Sequence, residues 1–261
     1  MRFDSTDSVC IVTGASSGIG RALAERLLQR GAHVVAVARR RDRLDQIVTP
    51  DVAKVHRIVG DTTDAKTRQQ IVQVATQLGG GAVDLLVNNA GSGAIGSFAE
   101  ANEERLRKVM EVNFFAPVEL TRSLLPALAK GRSPVVCNIS SVLGHRAVPN
   151  KSEYCASKFA IHGWSDALRA EISPLGIQVT LVSPSTTRSE FFDSLIDTDP
   201  NQASRSFGSW SPEQVANAAM SAIEKRKDEV ICSLPGKLLV WADRFCPPLM
   251  NRLLRQSQNI R

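Results

Sequence analysis

The sequence predicts an α/β fold in which a doubly wound, mostly parallel sheet of about seven strands carries helices on both faces. Three observations predict it. Short β-branched runs alternate with longer amphipathic stretches six times within about 180 residues. The strand-like runs are apolar throughout rather than at every second position, as strands covered on both faces must be. The first run leads straight into a glycine-rich turn that opens a helix.

In chain order, Val9, Cys10, Ile11 and Val12 read as a strand over 9–12, and 20–30 reads as a helix stopped by Gly31 at its C′ position. A strand over 33–37, a short helix over 41–48 and a strand over 53–59 follow. Next come a helix over 64–78 and a strand over 84–87. The helical pattern over 102–130 contains Pro117 and Pro126, which should bend or split it. A strand over 134–139, a helix over 152–173 and a strand over 178–182 complete the alternation. Residues 185–209 are largely polar with paired Phe191 and Phe192, and read as an excursion from the core. A helix over 212–226 and a strand over 229–233 return to the sheet, and 237–261 forms an amphipathic extension broken at Pro247 and Pro248. The whole is expected to be one domain.

Composition excludes several classes. The 261 residues are 43% hydrophobic and 22% charged, enough to bury a core and too mixed for disorder. The net charge of +6 comes from arginine far more than lysine, a choice that favours phosphate and carboxylate partners. Acids interleave with those charges, as in Glu224, Lys225, Arg226, Lys227, Asp228 and Glu229, so no nucleic-acid stripe is expected. The five cysteines include no CxxC pair and read as reduced thiols, so no metal is expected. Neither a leader nor a membrane span is evident, and a cytoplasmic location is expected.

The turn Thr13, Gly14, Ala15, Ser16, Ser17, Gly18, Ile19, Gly20 stands at the first crossover, where the Rossmann arrangement seats a pyrophosphate on a helix N-terminus. After the second strand come Arg39, Arg40 and Arg41. An acid there would accept from the ribose hydroxyls, whereas Arg accommodates a 2′-phosphate, so NADP(H) is favoured over NAD(H). The same arginines also suit a plain helix start. Asp61 either bonds an adenine amine or closes a turn. Tyr154, the single tyrosine, precedes Lys158 by one helical turn, and an adjacent cation lowers a phenol's pKa toward that of a working proton donor. The strand before this helix delivers Ser140 and Ser141 to the same edge. Asn88, Asn89, Ala90 and Gly91 follow the fourth strand, and Asn113 interrupts a helix it suits poorly.

Taken together, residues 13–20, the Asn-Asn-Ala-Gly run at 88–91, Asn113, Ser141 and the Tyr-x-x-x-Lys of 154–158 closely resemble the short-chain dehydrogenase/reductases over about residues 8–232. The resemblance implies a tetrad. Tyr154 would be the general acid/base, with Lys158 lowering its pKa and holding the nicotinamide ribose. Ser141 would orient the substrate oxygen, and Asn113 would hold a relay water. It implies cofactor contacts from Gly14, Ser16, Ser17, Gly18, Ile19, Gly20, Arg39, Arg40, Asp61, Asn89, Ala90, Gly91, Pro184, Thr187 and Ser189, besides Tyr154 and Lys158. One departure stands out: Ser185 replaces the family's usual glycine after Pro184, removing left-handed backbone freedom.

The expected reaction is hydride transfer between NADP(H) and a carbonyl or secondary alcohol. The substrate would be moderately apolar, contacting Ser141, Leu143, Val148, Tyr154, Phe191 and Phe192. A cofactor sensor or scaffold on the same fold, or an epimerase or dehydratase chemistry, are the alternatives. His145 is a solvated loop residue or a second acid. A homodimer or homotetramer is expected. The C-terminal extension covers the pocket, widens an interface or makes weak peripheral membrane contact.

Overall fold

A computed structural model describes residues 2–187, 191, 195–198 and 210–258; Ser189 and Phe192 lie outside the described residues. Seven strands, β1 (Val9–Thr13), β2 (His33–Ala38), β3 (Val55–Val59), β4 (Leu85–Asn88), β5 (Val135–Ile139), β6 (Gln178–Ser183) and β7 (Glu229–Ile231), form one sheet in the order β3-β2-β1-β4-β5-β6-β7. Every pairing is parallel. The order reverses at β1, so the β1 and β4 carboxyl ends flank the crevice where such sheets take ligands.

Strands β1 to β6 feed two cores. Cys10 and Val12 pack with Leu23, Leu27 and Leu28 of α1 (Gly18–Gln29) and with Met220 and Ile223 of α7 (Pro212–Glu224). Val9 and Ile11, pointing the other way, pack with Ile71 of α3 (Ala65–Leu78), Leu120, Leu124 and Leu128 of α5 (Ala116–Leu128), and Ile172 of α6 (Ser152–Ile172). Truncating one such side chain, as in Leu27→Ala, removes about 2–5 kcal/mol. Asp84, just before β4, joins the strand starts: its carboxylate accepts from Val9 N at 2.9 Å and Arg132 N at 2.6 Å.

Several boundaries differ from expectation. The second helix is only α2 (Arg41–Asp45), and β3 starts after a tight turn at Val52–Lys54. The 102–130 segment neither splits nor ends at a proline. It runs as α4 (Glu103–Met110), a wide π turn (Glu111–Phe115) and then α5, with Pro126 in the last turn. Pro117 has no N–H for the Asn113 carbonyl four residues back, and the wider turn falls at that gap. The helix over 212–226 stops at Glu224. Arg226 takes φ 50° and donates to the carbonyls of Ser133 and Gly176 instead. The extension is α8 (Leu234–Phe245) and α9 (Pro247–Gln258), meeting at Cys246 as the proline pair requires. No described helix is long and apolar enough to cross a membrane.

Candidate active site

The glycine turn is shaped by packing from β4. Gly14 and Gly18 adopt φ of 68° and 55°. A Cβ on Gly20 would stand 2.3 Å from both the Gly14 carbonyl and Asn89 Nδ2, so only glycine fits there. Asn89 Nδ2 donates to the Thr13 and Gly14 carbonyls at 2.9 and 3.2 Å, and the Thr13 hydroxyl accepts from the amides of Asn89 and Ala90. The turn opens a cleft of about 340 Å³ whose walls include Ser16, Ile19, Arg39, Asp61, Ala90 and Gly91. No side chain caps the start of α1 and its first turn carries no acid, so uncapped amides at a positive dipole end face this cleft. That cradle fits a dinucleotide's phosphates.

The arginines divide. Arg40 donates to the hydroxyls of Ser17 at 2.9 Å and Ser16 at 3.3 Å. Arg39 reaches across to the Asp61 carboxylate at 3.6 Å. This end of the cleft therefore presents two guanidinium groups, one of them anchored to the turn itself.

The tetrad residues converge at the next crevice along the sheet. Tyr154 and Lys158 come from the first two turns of α6. Ser141 leaves β5 and caps a single tight turn over Val142–Gly144, accepting from Leu143 N at 3.1 Å. Accepting there leaves its own proton free, and that hydroxyl bonds the Tyr154 phenol. Lys158 is buried, donates to the Ile139 carbonyl at 3.0 Å, and stands 5.7 Å from the Tyr154 ring centre. Asn113 sits in the π turn. Its Oδ1 accepts from Ser92 N at 2.9 Å, while Nδ2 donates to the Ser92 carbonyl and the Ser157 hydroxyl at 2.8 and 2.9 Å. A Cβ on Gly91 would stand 3.0 Å from that Oδ1 and 3.7 Å from Lys158 Nζ, so the glycine lets β4's end lie against both.

The electrostatics correct one expectation. Burial, opposed by the Ser141 hydrogen bond, pushes the Tyr154 phenol up to about 12 rather than down toward neutrality. Burial also pulls the Lys158 ammonium down to about 8. Desolvation outweighs the attraction between them because Lys158 is turned onto the Ile139 carbonyl instead of the phenol oxygen. At neutral pH the pair is a neutral phenol beside a cation.

One apolar side chain of the excursion stands against Tyr154. Phe191 lies edge-on to its ring at 5.7 Å and, with Ile196, also borders the cleft, so the excursion touches both chambers. Leu143 and Val148 are half-buried beyond Ser141. Pro184 accepts from Val142 N at 2.9 Å, and Thr187 bridges to Trp210; neither borders the cleft. Ser185 has no left-handed backbone and bonds Ser233 at 2.8 Å, so the glycine-to-serine departure is accommodated without strain. It is Ser233, at φ 71°, that takes the left-handed conformation and caps α8. Arg146 then ties the wall to the extension, reaching Asp243 of α8 and Asn251 of α9, each at 2.7 Å. His145 is enclosed rather than a solvated loop residue: its side chain is 5% exposed and its Nε2 lies 2.7 Å from Glu229.

Sequence reasoning missed a buried ion pair beside the tyrosine. Arg105 of α4 gives two donors to one Glu153 oxygen, at 2.6 and 3.0 Å, and Ser152 donates to the other at 2.8 Å. Both charged side chains are only 5% exposed. Arg105 also reaches the Ser97 carbonyl at 3.4 Å, so α4, the 93–98 loop and the start of α6 share one clamp.

Comparison with known proteins agrees with this geometry. Residues 8–200 match the model of the short chain dehydrogenase family. The chain is 32% identical over 256 residues to dehydrogenase/reductase SDR family member 7B of Xenopus laevis, covering 93% of this chain and 79% of that protein. It is 36% identical over 186 residues to the 3-ketodihydrosphingosine reductase of Bacteroides thetaiotaomicron, covering 71% and 66% of the two chains. A crystal structure of a short-chain dehydrogenase from Streptomyces avermitilis superposes with a TM-score of 0.82 at 30% identity, over 97% of this chain and 98% of that one.

Proposed function

The chain belongs to the short-chain dehydrogenase family, and from that premise we propose that it is an NADP(H)-dependent reductase of ketones on moderately apolar, lipid-like molecules. The observation that carries this reading is the convergence of Tyr154, Ser141 and Lys158 one crevice away from an uncapped helix start flanked by Arg40.

The residues around the cleft fit a nicotinamide dinucleotide. Pyrophosphate would rest on the amides that open α1, and a 2′-phosphate would be met by Arg40 with Ser16 and Ser17, beside Arg39. The reduced nicotinamide, when bound, supplies a hydride. The chain's task is the proton. A phenol held near 12 stays protonated throughout the neutral range, so Tyr154 Oη is equipped to donate to a carbonyl oxygen as negative charge gathers there. The Ser141 hydroxyl supplies a second hydrogen bond to that oxygen, and protonated Lys158 stabilises the phenolate left behind. Asn113 holds Ser92 and Ser157 so that β4's end and α6 keep their spacing.

The apolar wall of Leu143, Val148 and Phe191 supports a lipid-like substrate, as does the relative that reduces 3-ketodihydrosphingosine. A panel of long-chain and small ketones, read by NADPH and NADH absorbance, tests this reading. Stoichiometric NADPH loss with a ketone of the long-chain set is expected. Turnover without net cofactor consumption would replace reductase by epimerase or dehydratase chemistry. Arg40→Asp is expected to invert the NADPH/NADH preference in kcat/KM, and an unchanged ratio would reduce the arginines to surface charge.

A second copy of the chain is proposed to cover exposed Leu106, Phe115 and Phe159 on α4, the π turn and α6, which sedimentation at micromolar concentration would show as a dimer or tetramer. The outer row of Leu234, Leu238, Trp241 and Phe245, with Lys237, Arg252 and Arg255 nearby, supports weak peripheral membrane contact. Binding of anionic vesicles should be lost on deletion of 234–261.

A further inference from the structure

Away from Tyr154, three side chains from three elements meet beside the sheet's β7 edge: His145 from the turn after β5, His162 from the middle of α6, and Glu229 at the start of β7. One ligand atom from each lies within 4.8 Å of the others. His145 is almost fully enclosed, and the other two are largely so. The two imidazoles stand edge to face, with ring centres 4.4 Å apart. Ser183 donates to the Glu229 oxygen at 3.0 Å, the same oxygen that lies 2.7 Å from His145 Nε2.

One atom in this cluster is unexplained by the protein alone. His162 Nδ1 is buried and has no hydrogen-bond partner, while Nε2 on the far side of the ring faces Asp166 at 3.5 Å. A buried imidazole nitrogen without a partner costs free energy that a folded chain seldom leaves uncompensated. A carboxylate behind an imidazole is the arrangement that orients a metal-ligating histidine.

We propose that His145, His162 and Glu229 form a binding site for one divalent metal ion of the zinc type, with a ring nitrogen from each histidine and a carboxylate oxygen as ligands. Two nitrogens and one oxygen suit borderline ions such as Zn²⁺ and Co²⁺ and suit Ca²⁺ or Mg²⁺ poorly. Bonds of about 2.0–2.2 Å to a tetrahedral ion bring the ligand atoms about 3.3–3.5 Å apart, so the histidine–glutamate contact opens slightly as His162 closes in. Water fills the fourth position, and Ser183 and Asp166 orient the ligands from behind. The ion joins positions 145, 162 and 229 into one clip beneath α8, bracing the turn that carries Leu143 and Val148 and taking no part in proton or hydride transfer.

The test uses the full chain, freed of metal by chelation and desalting. Titration with Zn²⁺ is expected to reach one ion per chain and to raise Tm by about 5–10 °C at a hundredfold excess over Kd. Co²⁺ is expected to give the intense visible bands of a four-coordinate ion. His162→Gln and Glu229→Gln should each weaken binding at least about tenfold, as loss of one ligand does. His56→Gln, in the chain's other histidine pair, and Cys246→Ser, at its exposed thiol, should leave it intact. Absence of saturable binding, the weak bands of six-coordinate Co²⁺, or binding that survives in His162→Gln/Glu229→Gln would overturn the proposal. Where a variant loses its near-ultraviolet circular dichroism, the wild-type Co²⁺ spectrum decides alone.

Discussion

Replacing Arg105 by Met keeps the length and apolar stem of the side chain and removes its charge, which isolates the clamp beside Tyr154. In the native chain one Glu153 oxygen receives both Arg105 donors, at 2.6 and 3.0 Å, and the other receives Ser152. The variant strips that first oxygen of both guanidinium donors in a side chain 5% exposed. Removing one member of a buried pair costs about 3–5 kcal/mol; the surviving Ser152 hydrogen bond places Arg105→Met at the lower end, about 3 kcal/mol. For a domain of this size that lowers Tm by about 6–12 °C. Urea denaturation followed by circular dichroism measures it. The pH dependence checks the cause. Burial pushes the Glu153 carboxyl upward, but hydrogen bonds from Arg105, its own backbone and Ser152, with the charge of Arg105, hold it below the usual 4.5. A carboxylate with a depressed native pKa contributes its full stability above the unfolded value and loses it as pH falls through the native one. The gap between wild type and variant is therefore widest above pH 4.5 and narrows in acid. A difference under about 1 kcal/mol at pH 7, the worth of an exposed pair, would show that Arg105 and Glu153 do not act as a buried ion pair.

Since Lys158 loses its proton near 8, kcat/KM for the cofactor should fall on an alkaline limb with that apparent pKa, and a profile flat to pH 10 would show the ammonium to be dispensable. Gly20→Ala drives a methyl to within 2.3 Å of the Gly14 carbonyl, so it should destabilise by about 1–3 kcal/mol and abolish NADPH binding by calorimetry. Phe191→Ala removes the edge-on ring beside Tyr154 and should raise KM for an apolar ketone about tenfold, equivalent to ~1.4 kcal/mol, with little change for a small polar one.

Periodicity exposed the architecture because a parallel sheet covered on both faces leaves apolar strands and one-sided helices, and β1 through β6 fall within two residues of their expected bounds. The tetrad was readable because Tyr154 and Lys158 sit one turn apart on one helix and Ser141 lies two residues past the end of the strand before it. What escaped notice depends on contacts between distant positions. Arg105 and Glu153 are 48 residues apart, and His145 and Glu229 are 84 apart, so no local pattern pairs them. The direction of the Tyr154 shift escaped for a related reason: spacing reveals that a lysine is near, while burial and the Ile139 carbonyl decide which effect wins. Local strain moved similarly, from the suspected Ser185 to Ser233, its partner across 48 residues.

Proton delivery from the Tyr154 hydroxyl to a carbonyl oxygen is the step on which the proposed reaction rests. Single-turnover NADPH oxidation by Tyr154→Phe, with cofactor affinity measured on the same sample, addresses it directly. Loss of rate by about 10²–10⁴ with NADPH binding unchanged is the predicted result. A phenylalanine variant that oxidises NADPH at the wild-type rate would contradict it.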